Sequence, residues 1–212
     1  MADYQRVLTA QDTVNRVLAR LGLPLATSVF DSADGNVKQL ISIANDVGQE
    51  LLTESQWQFL NRDHQITTVP GQTEYPLPTD FDRYVSDAQW NLSTRLPMLG
   101  SIGDAQWAEL KARQLGGLTI ALLFRVDQGK LVLYASPSEA QVISLPYVGR
   151  GWVSAVDGSF QDSVESNDDL ILYDSRLFRA KLLLEWQTSK GFDTTAAERR
   201  YLSLLGAAKN GD

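Results

Sequence analysis

Apolar positions recur at helical spacing at both ends of this chain and at strand spacing in its middle. Val14, Val17, Leu18 and Leu21 stand at i, i+3, i+4 and i+7, one face of a helix. Thr9 followed by Asp12 supplies a helix start, with the acid near the positive helix end. Gly22 and Pro24 end that helix. Residues 25–35 read as a loop holding Asp31, Ser32, Asp34 and Gly35. A second helix is predicted from about Asn36 to Glu54, on a stripe of Val37, Leu40, Ile41, Ala44, Val47 and Leu51. Trp57 and Phe59 follow as large anchors for the next layer.

The period changes at Gln65. Ile66, Thr67, Thr68 and Val69 are strand formers, and Pro70-Gly71 marks a turn. Tyr75-Pro76-Leu77-Pro78 is barred from a central strand, because its two prolines lack ladder donors. It is expected as an extended edge or corner, with Thr79 or Asp80 capping a short turn that carries Phe81. Tyr84 to Leu92 reads as a strand through Trp90, and Gly103 to Gln114 as a helix with Trp107 and Leu110 on one face. Ile120–Val126, a turn at Asp127-Gln128-Gly129 and Leu131–Tyr134 form the clearest hairpin. Val142–Val148 is a third strand, interrupted by Pro146.

Residues 149–169 read as a long loop. Asp168 or Asp169 is placed to cap a helix whose firm part is Ser175–Lys190, with Phe178, Leu182, Leu183 and Trp186 as its stripe and Gly191 as its stop. Thr195-Ala196-Ala197-Glu198 reads as a capping box for a last helix with Tyr201, Leu204, Leu205 and Ala208 on one face. The pattern predicts an α+β fold. A helix bundle forms from residues 1–62 and 165–212, and residues 63–164 make a β-rich insertion of hairpins or a small sandwich.

Composition narrows the functions. With 43% hydrophobic and 21% charged residues, the chain can bury a core. It has no cysteine, which excludes disulfides, thiolate metal sites and cysteine nucleophiles, and suits synthesis in a reducing compartment. The net charge of −7, and no Lys/Arg cluster along the sequence beyond pairs such as Arg199-Arg200, argue against tight duplex binding. Met1–Arg6 lacks the apolar run of a signal peptide, and the longest apolar stretch, around Leu118–Phe124, is too short to span a bilayer. Asn91-Leu92-Ser93 is read as a chance sequon.

Little of the sequence carries chemistry. His64 is the single histidine and is read as structural or exposed; no nucleophile elbow or phosphate loop accompanies it. Gly149-Arg150-Gly151 is read as a bend. Asp80 and Asp82 are the nearest thing to a carboxylate pair, read as a cap and a surface acid. Asp157, Asp162, Glu165, Asp168 and Asp169 fall in a segment without a base and without calcium-loop spacing, so a solvated loop is expected. No catalytic, cofactor or metal residue is assigned. Of the five tryptophans, Trp57, Trp90, Trp107, Trp152 and Trp186, the last is assigned to the core. Trp152 beside Arg150 is expected to make an intermolecular contact.

At Tyr75-Pro76-Leu77-Pro78-x-Asp80-Phe81-x-Arg83 the chain resembles the head-to-tail adaptor proteins of tailed bacteriophages, the tail tubular protein A-like group. The order of the other motifs adds to the resemblance, which covers about residues 10–210. These are the aromatic pair Trp57 and Phe59, the leucine-rich helix Leu182–Trp186, the Lys190-Gly191-Phe192-Asp193 break and the closing Glu198–Tyr201. The resemblance implies a non-enzymatic virion protein of the head–tail junction, made in the bacterial host cytoplasm. It implies a homo-oligomeric ring, usually of twelve copies, docked beneath the portal protein and extending a channel that DNA traverses without specific binding. A tail nozzle or tail-tube protein would sit on its other side, and no cofactor or membrane is involved. The portal side is expected at Glu198–Asp212, through Arg199, Tyr201, Leu205 and Lys209. The tail or neighbouring subunit is expected at Trp152, Arg150, Tyr75 and Phe81. Two other readings stand beside it: a tail-associated carbohydrate or cell-wall hydrolase using Asp80, Asp82 or Glu74, and a transient tail-completion factor.

Overall fold

The computed structural model describes residues 7–113 and 121–211. Met1–Arg6, Gln114, the stretch from Leu118 to Ile120 and Asp212, which carry parts of the expectations above, lie outside the described residues. In chain order the elements begin with β1 (Leu8–Thr9), α1 (Ala10–Leu21) and α2 (Gly35–Glu54). Strands β2 (Asn61–Thr67), β3 (Glu74–Pro76), β4 (Phe81–Tyr84), β5 (Trp90–Asn91) and β6 (Leu96–Pro97) lead to α3 (Asp104–Arg113). Then come β7 (Phe124–Asp127), β8 (Lys130–Leu133), β9 (Val142–Gly149), β10 (Val153–Ser154), β11 (Phe160–Gln161) and β12 (Leu170–Ile171). Helices α4 (Ser175–Ser189) and α5 (Thr195–Gly211) close the chain, and the fold is α+β. It divides into two compact units, one of residues 1–60 and 150–212, the other of residues 61–149.

In the first unit α4 packs against α1, α2 and α5. Helix α1 starts as the sequence indicates: the Asp12 N–H donates to Thr9 Oγ1 at 3.0 Å, and Gly22 takes the left-handed conformation at the far end. The predicted stripe of α2 is buried at Val37, Leu40, Ala44, Val47 and Leu51. The loop between them is held by Asn15, whose amide donates to the Ala26 carbonyl and accepts from the Ala26 N–H, both at 2.9 Å.

An aromatic group fills the centre of this unit. Trp152 stacks on Phe178 with ring centres 5.7 Å apart, and Tyr173 lies edge-on to Trp57 at 5.5 Å. The polar atoms of these rings are satisfied by backbone. Trp152 Nε1 donates to the Asp162 carbonyl at 2.8 Å, and the Tyr173 hydroxyl donates to the Gly48 carbonyl at 3.0 Å. Gly48 has to be glycine for the indole to fit: a Cβ there would stand 2.1 Å from Trp152 Cζ2.

Residues 149–169 are more ordered than a loop. Val153 pairs with Ile171 on one side and with Gln161 on the other, and Leu8 of β1 pairs with Ile171. The result is a four-stranded sheet in the order β1-β12-β10-β11 that joins the two ends of the chain. Residues 150–164, assigned by sequence to the β-rich insertion, therefore belong to the compact unit that holds the helices. The reason is burial: Trp152, Val153, Val164 and Ile171 are core residues.

Two helix caps also differ from expectation. Asp174, not Asp168 or Asp169, caps α4, accepting from the backbone N–H groups of Arg176 and Leu177. Asp169 is buried and accepts at 2.7 Å from the N–H groups of both Glu165 and Ser166, closing a turn instead. Thr195 already lies inside α5; the Asp193 carboxylate accepts from its N–H at 3.0 Å and from its hydroxyl at 2.7 Å. Burial opposes ionisation of Asp174, but hydrogen bonds from the Arg176 side chain and backbone outweigh it and hold its carboxyl below the ordinary range. Because the folded value is depressed, the stabilisation is full above the unfolded carboxylate value and is lost as pH falls through the folded one. Asp174→Ala is expected to cost about 1 kcal/mol near neutral pH. Its difference from the parent should vanish at the acid end of a urea-stability series against pH; a difference independent of pH would show that the carboxylate is not the cap.

The second unit has two sheets around one core. One has the order β2-β9-β5-β6, with β4 also on β9; the other has the order β3-β8-β7. Tyr75, Met98, Phe124, Leu131, Leu133, Ile143 and Leu145 form the shared core. Strand β2 starts at Asn61, earlier than Gln65, because it pairs along its whole length with β9 from Asn61↔Val148 to Thr67↔Val142. Pro146 does not break β9. Its carbonyl accepts from Val85 N–H at 3.0 Å, one residue past β4, so its missing donor falls where that neighbouring strand has ended. The single strand expected over Tyr84–Leu92 is two strands, separated at Asp87 with φ 56°. The predicted hairpin is present, with Asp127 opposite Lys130 and both intervening residues, Gln128 and Gly129, at positive φ. The proline-rich corner begins as the edge strand β3.

Candidate assembly surfaces

The structure separates the predicted contact residues into anchors and exposed groups. On α5, Tyr201 and Leu205 are buried and hold the helix to its unit, while Arg199 and Lys209 are exposed. Lys181 on α4 reaches Glu50 at 2.9 Å and Glu185 at 2.7 Å, and lies 5.2 Å over the Tyr201 ring. Burial, followed by the field of Glu54, pushes the Tyr201 hydroxyl up to about 12. The portal-side candidates thus divide: two build the helix's inner face, and two face outward.

The tail-side candidates divide the same way. Trp152 is fully buried (0% exposed), so the expectation that it makes an intermolecular contact is corrected: its indole is core. Arg150 is exposed. Tyr75 is buried, its hydroxyl accepting from Val69 N–H at 2.9 Å and donating to the Gln72 carbonyl at 3.1 Å, which fixes the turn before the proline corner. Phe81 is half-buried, edge-on to Tyr84 at 4.8 Å and stacked on Tyr147 at 5.8 Å.

The tryptophan that does reach the surface is Trp90, 45% exposed. Its orientation follows from an inverted strand pattern. Gln89 and Asn91 are the buried residues on either side of it. Asn91 donates to Gln141 Oε1 at 2.7 Å and accepts from Ser93 N–H at 3.1 Å, so an amide pair holds the inward side and the pleat turns the indole out. Leu92 and Leu99 of the same unit are exposed as well.

The acids considered for hydrolysis are engaged otherwise. Asp80 forms an ion pair with Arg62 and accepts from the Tyr147 hydroxyl at 3.0 Å. Both charged side chains are only 11% exposed, and a Cβ at Gly149 would stand 2.6 Å from Asp80 Oδ2, so backbone closes over the pair. Asp82 pairs with Arg83 on the surface. Glu74 pairs with Lys130 at 2.8 Å, and that hydrogen bond and charge lower its pKa, the direction opposite to that of a general acid. His64 is half-buried, and burial lowers its pKa, so it is neutral at physiological pH. Among the described residues no group of three or more His, Asp or Glu is placed to hold a metal ion, and no helix is long and apolar enough to cross a membrane.

One surface is invisible along the sequence. Arg16 and Arg20 on α1, Arg176 and Arg179 on α4, and Arg200 on α5 line one small cleft in the first unit. Five of the chain's 19 basic residues meet there. Their i, i+4 and i, i+3 spacings put each pair on one helix face, but only helix packing brings the three helices together.

A sequence profile of the SU10 adaptor protein family matches residues 8–212, and the chain belongs to that family of phage head-to-tail adaptors. No curated protein matches it. The match covers nearly the same span, about residues 10–210, as the resemblance drawn from the proline corner and the motif order.

Proposed function

We propose that this chain forms a ring, a dodecamer by the family resemblance, that docks beneath the portal at the head–tail junction, continues the DNA channel and offers the tail a platform. The family match over residues 8–212 carries this reading. The net charge of −7 supports it, because a lumen that repels phosphate lets DNA pass without sticking. The work is assembly, not catalysis. Arg199 and Lys209, exposed on α5, are the portal-side residues, with Tyr201 and Leu205 setting the helix that carries them. Arg150, Phe81 and the exposed Trp90 are the tail-side residues, and Tyr75 fixes the turn before the proline corner.

Co-expression with the portal protein of the same genome tests the reading. Negative-stain images should show portal rings with an added collar and this chain comigrating. Bare portal rings beside free chain would reject it. A chain lacking residues 206–212 should remain folded, since Leu205 is the last buried residue of α5 among the described side chains, but should lose most of its portal docking. Undiminished docking by the truncated chain would remove the last turns of α5 from the portal contact.

A further inference from the structure

We propose that the arginine cleft on α1, α4 and α5 receives the acidic segment 157–169 of a second copy of this chain, as the lateral contact between neighbouring subunits. The inference rests on the ring reading above and names the contact that would close it.

The cleft is an unbalanced charge. Arg16, Arg20, Arg176, Arg179 and Arg200 line it, and among the described residues their one ion pair with an acid at the cleft is Arg176 with Asp174, at 3.0 Å. Arg179 is half-buried there, its Nε donating to the Ser175 carbonyl at 2.8 Å. Its pKa is lowered by burial first, then by Arg16, Arg200 and Arg20, with Asp174 acting against them. Like charges gathered in a partly dehydrated cleft oppose one another until an anion enters. Guanidinium groups favour planar, two-oxygen anions such as carboxylates and phosphates.

The same unit presents the complementary charge. Asp157, Asp162, Glu165 and Asp168 are exposed, and no Lys or Arg occurs between residues 157 and 169. The segment is held rigidly. Gln49 donates to the Asp162 carbonyl at 2.6 Å, Asn45 Oδ1 accepts from Val164 N–H at 2.8 Å, and Asp169 closes its last turn. It is therefore displayed from α2 in a fixed shape, at little ordering cost on binding. Within one chain none of the five arginines is paired with an acid of this segment among the described residues. A unit with a basic cleft on α1, α4 and α5 and an acidic segment held against α2 carries both halves of a head-to-tail contact. Such a heterologous contact closes into a ring when its rotation permits. Duplex phosphate is the competing occupant, and the overall charge of −7 disfavours it.

The test is a charge swap scored by collars on portal rings, with circular dichroism confirming that each variant is folded. Arg16→Glu with Arg20→Glu should reduce collar occupancy at least about tenfold, as should Asp162→Lys with Asp168→Lys. The chain carrying all four substitutions should recover it, because the reversed charges meet again across the contact. Added salt should weaken the parent and the fourfold variant alike. Parent collars that survive both reversals overturn this contact and leave the adaptor reading standing. Loss with the arginine reversal alone, matched by loss of labelled duplex DNA retention, assigns the cleft to phosphate and also overturns it. A parent chain that forms no collar removes both readings together.

Discussion

Replacing Trp152 by alanine is expected to cost the first unit about 3–5 kcal/mol, the range for deleting a large buried aromatic whose cavity cannot collapse. Collapse is blocked here because the indole touches rigid partners on several sides. Phe178 stacks on it, Tyr173 lies tilted against it at 6.0 Å, and the α2 backbone passes at Gly48 without a side chain between. The substitution also leaves the Asp162 carbonyl without its Nε1 donor, although Gln49 still donates to it. That second donor separates packing from hydrogen bonding. Trp152→Phe keeps much of the packing and loses the N–H, and should lie well above Trp152→Ala in stability. The measurement is a urea titration combined with hydrogen exchange in α2 and α4, the two helices nearest the ring. A loss below about 1 kcal/mol, typical of a surface site, would return Trp152 to the list of contact residues.

The second large effect is expected at Asp80. Asp80→Ala should destabilise the second unit by about 3 kcal/mol, because it removes the carboxylate that balances the Arg62 guanidinium under the β9 backbone. Arg62 is mostly buried, burial already lowers its pKa, and the Tyr147 hydroxyl would lose its acceptor in the same step. Removing both charges is a different experiment. Arg62→Met combined with Asp80→Leu should recover much of the loss, since two apolar groups of similar size need no counterion. The double-mutant cycle, read by urea unfolding and by hydrogen exchange in β4 and β9, checks the pair. Additive single effects would mean that Arg62 and Asp80 act independently. The result also bears on the hydrolase reading: an aspartate that holds a sheet together is a structural group, and its loss should register in stability.

The adaptor resemblance and the local fold were legible in the sequence for the same reason: both are written in short-range order. Thr9 with Asp12, Gly22, the stripe of α2 and the two-residue turn at Gln128-Gly129 act within a few residues of themselves, and each lies where its spacing put it. The corner Tyr75-Pro76-Leu77-Pro78 reads as an edge because proline's missing N–H is a local fact. Caps are the exception among these local features. Asp168, Asp169 and Asp174 all precede α4, and which carboxylate reaches the helix depends on where the chain turns.

What failed in the sequence reading was the side on which a residue stands. Trp152 follows Gly-Arg-Gly and looks like a loop aromatic. It is core because Val153 pairs with Ile171, a contact between positions far apart in the chain. Trp90 is exposed because its polar neighbours Gln89 and Asn91 form a buried amide arrangement with Gln141 and backbone. A hydrophobic pattern predicts the opposite pleat, and only a hydrogen-bonding partner some fifty positions away reverses it. The arginine cleft is the extreme case. Arg16, Arg176 and Arg200 are scattered over a net-acidic chain, and composition alone argued against a basic surface. By itself the sequence determined the helices, half of the strands, the edge corner and the family, all of which rest on spacing within a segment. Only the tertiary structure decided which tryptophan is buried, where 150–164 belongs and that five arginines share one cleft, because long-range pairing and helix packing set those and no local period encodes them.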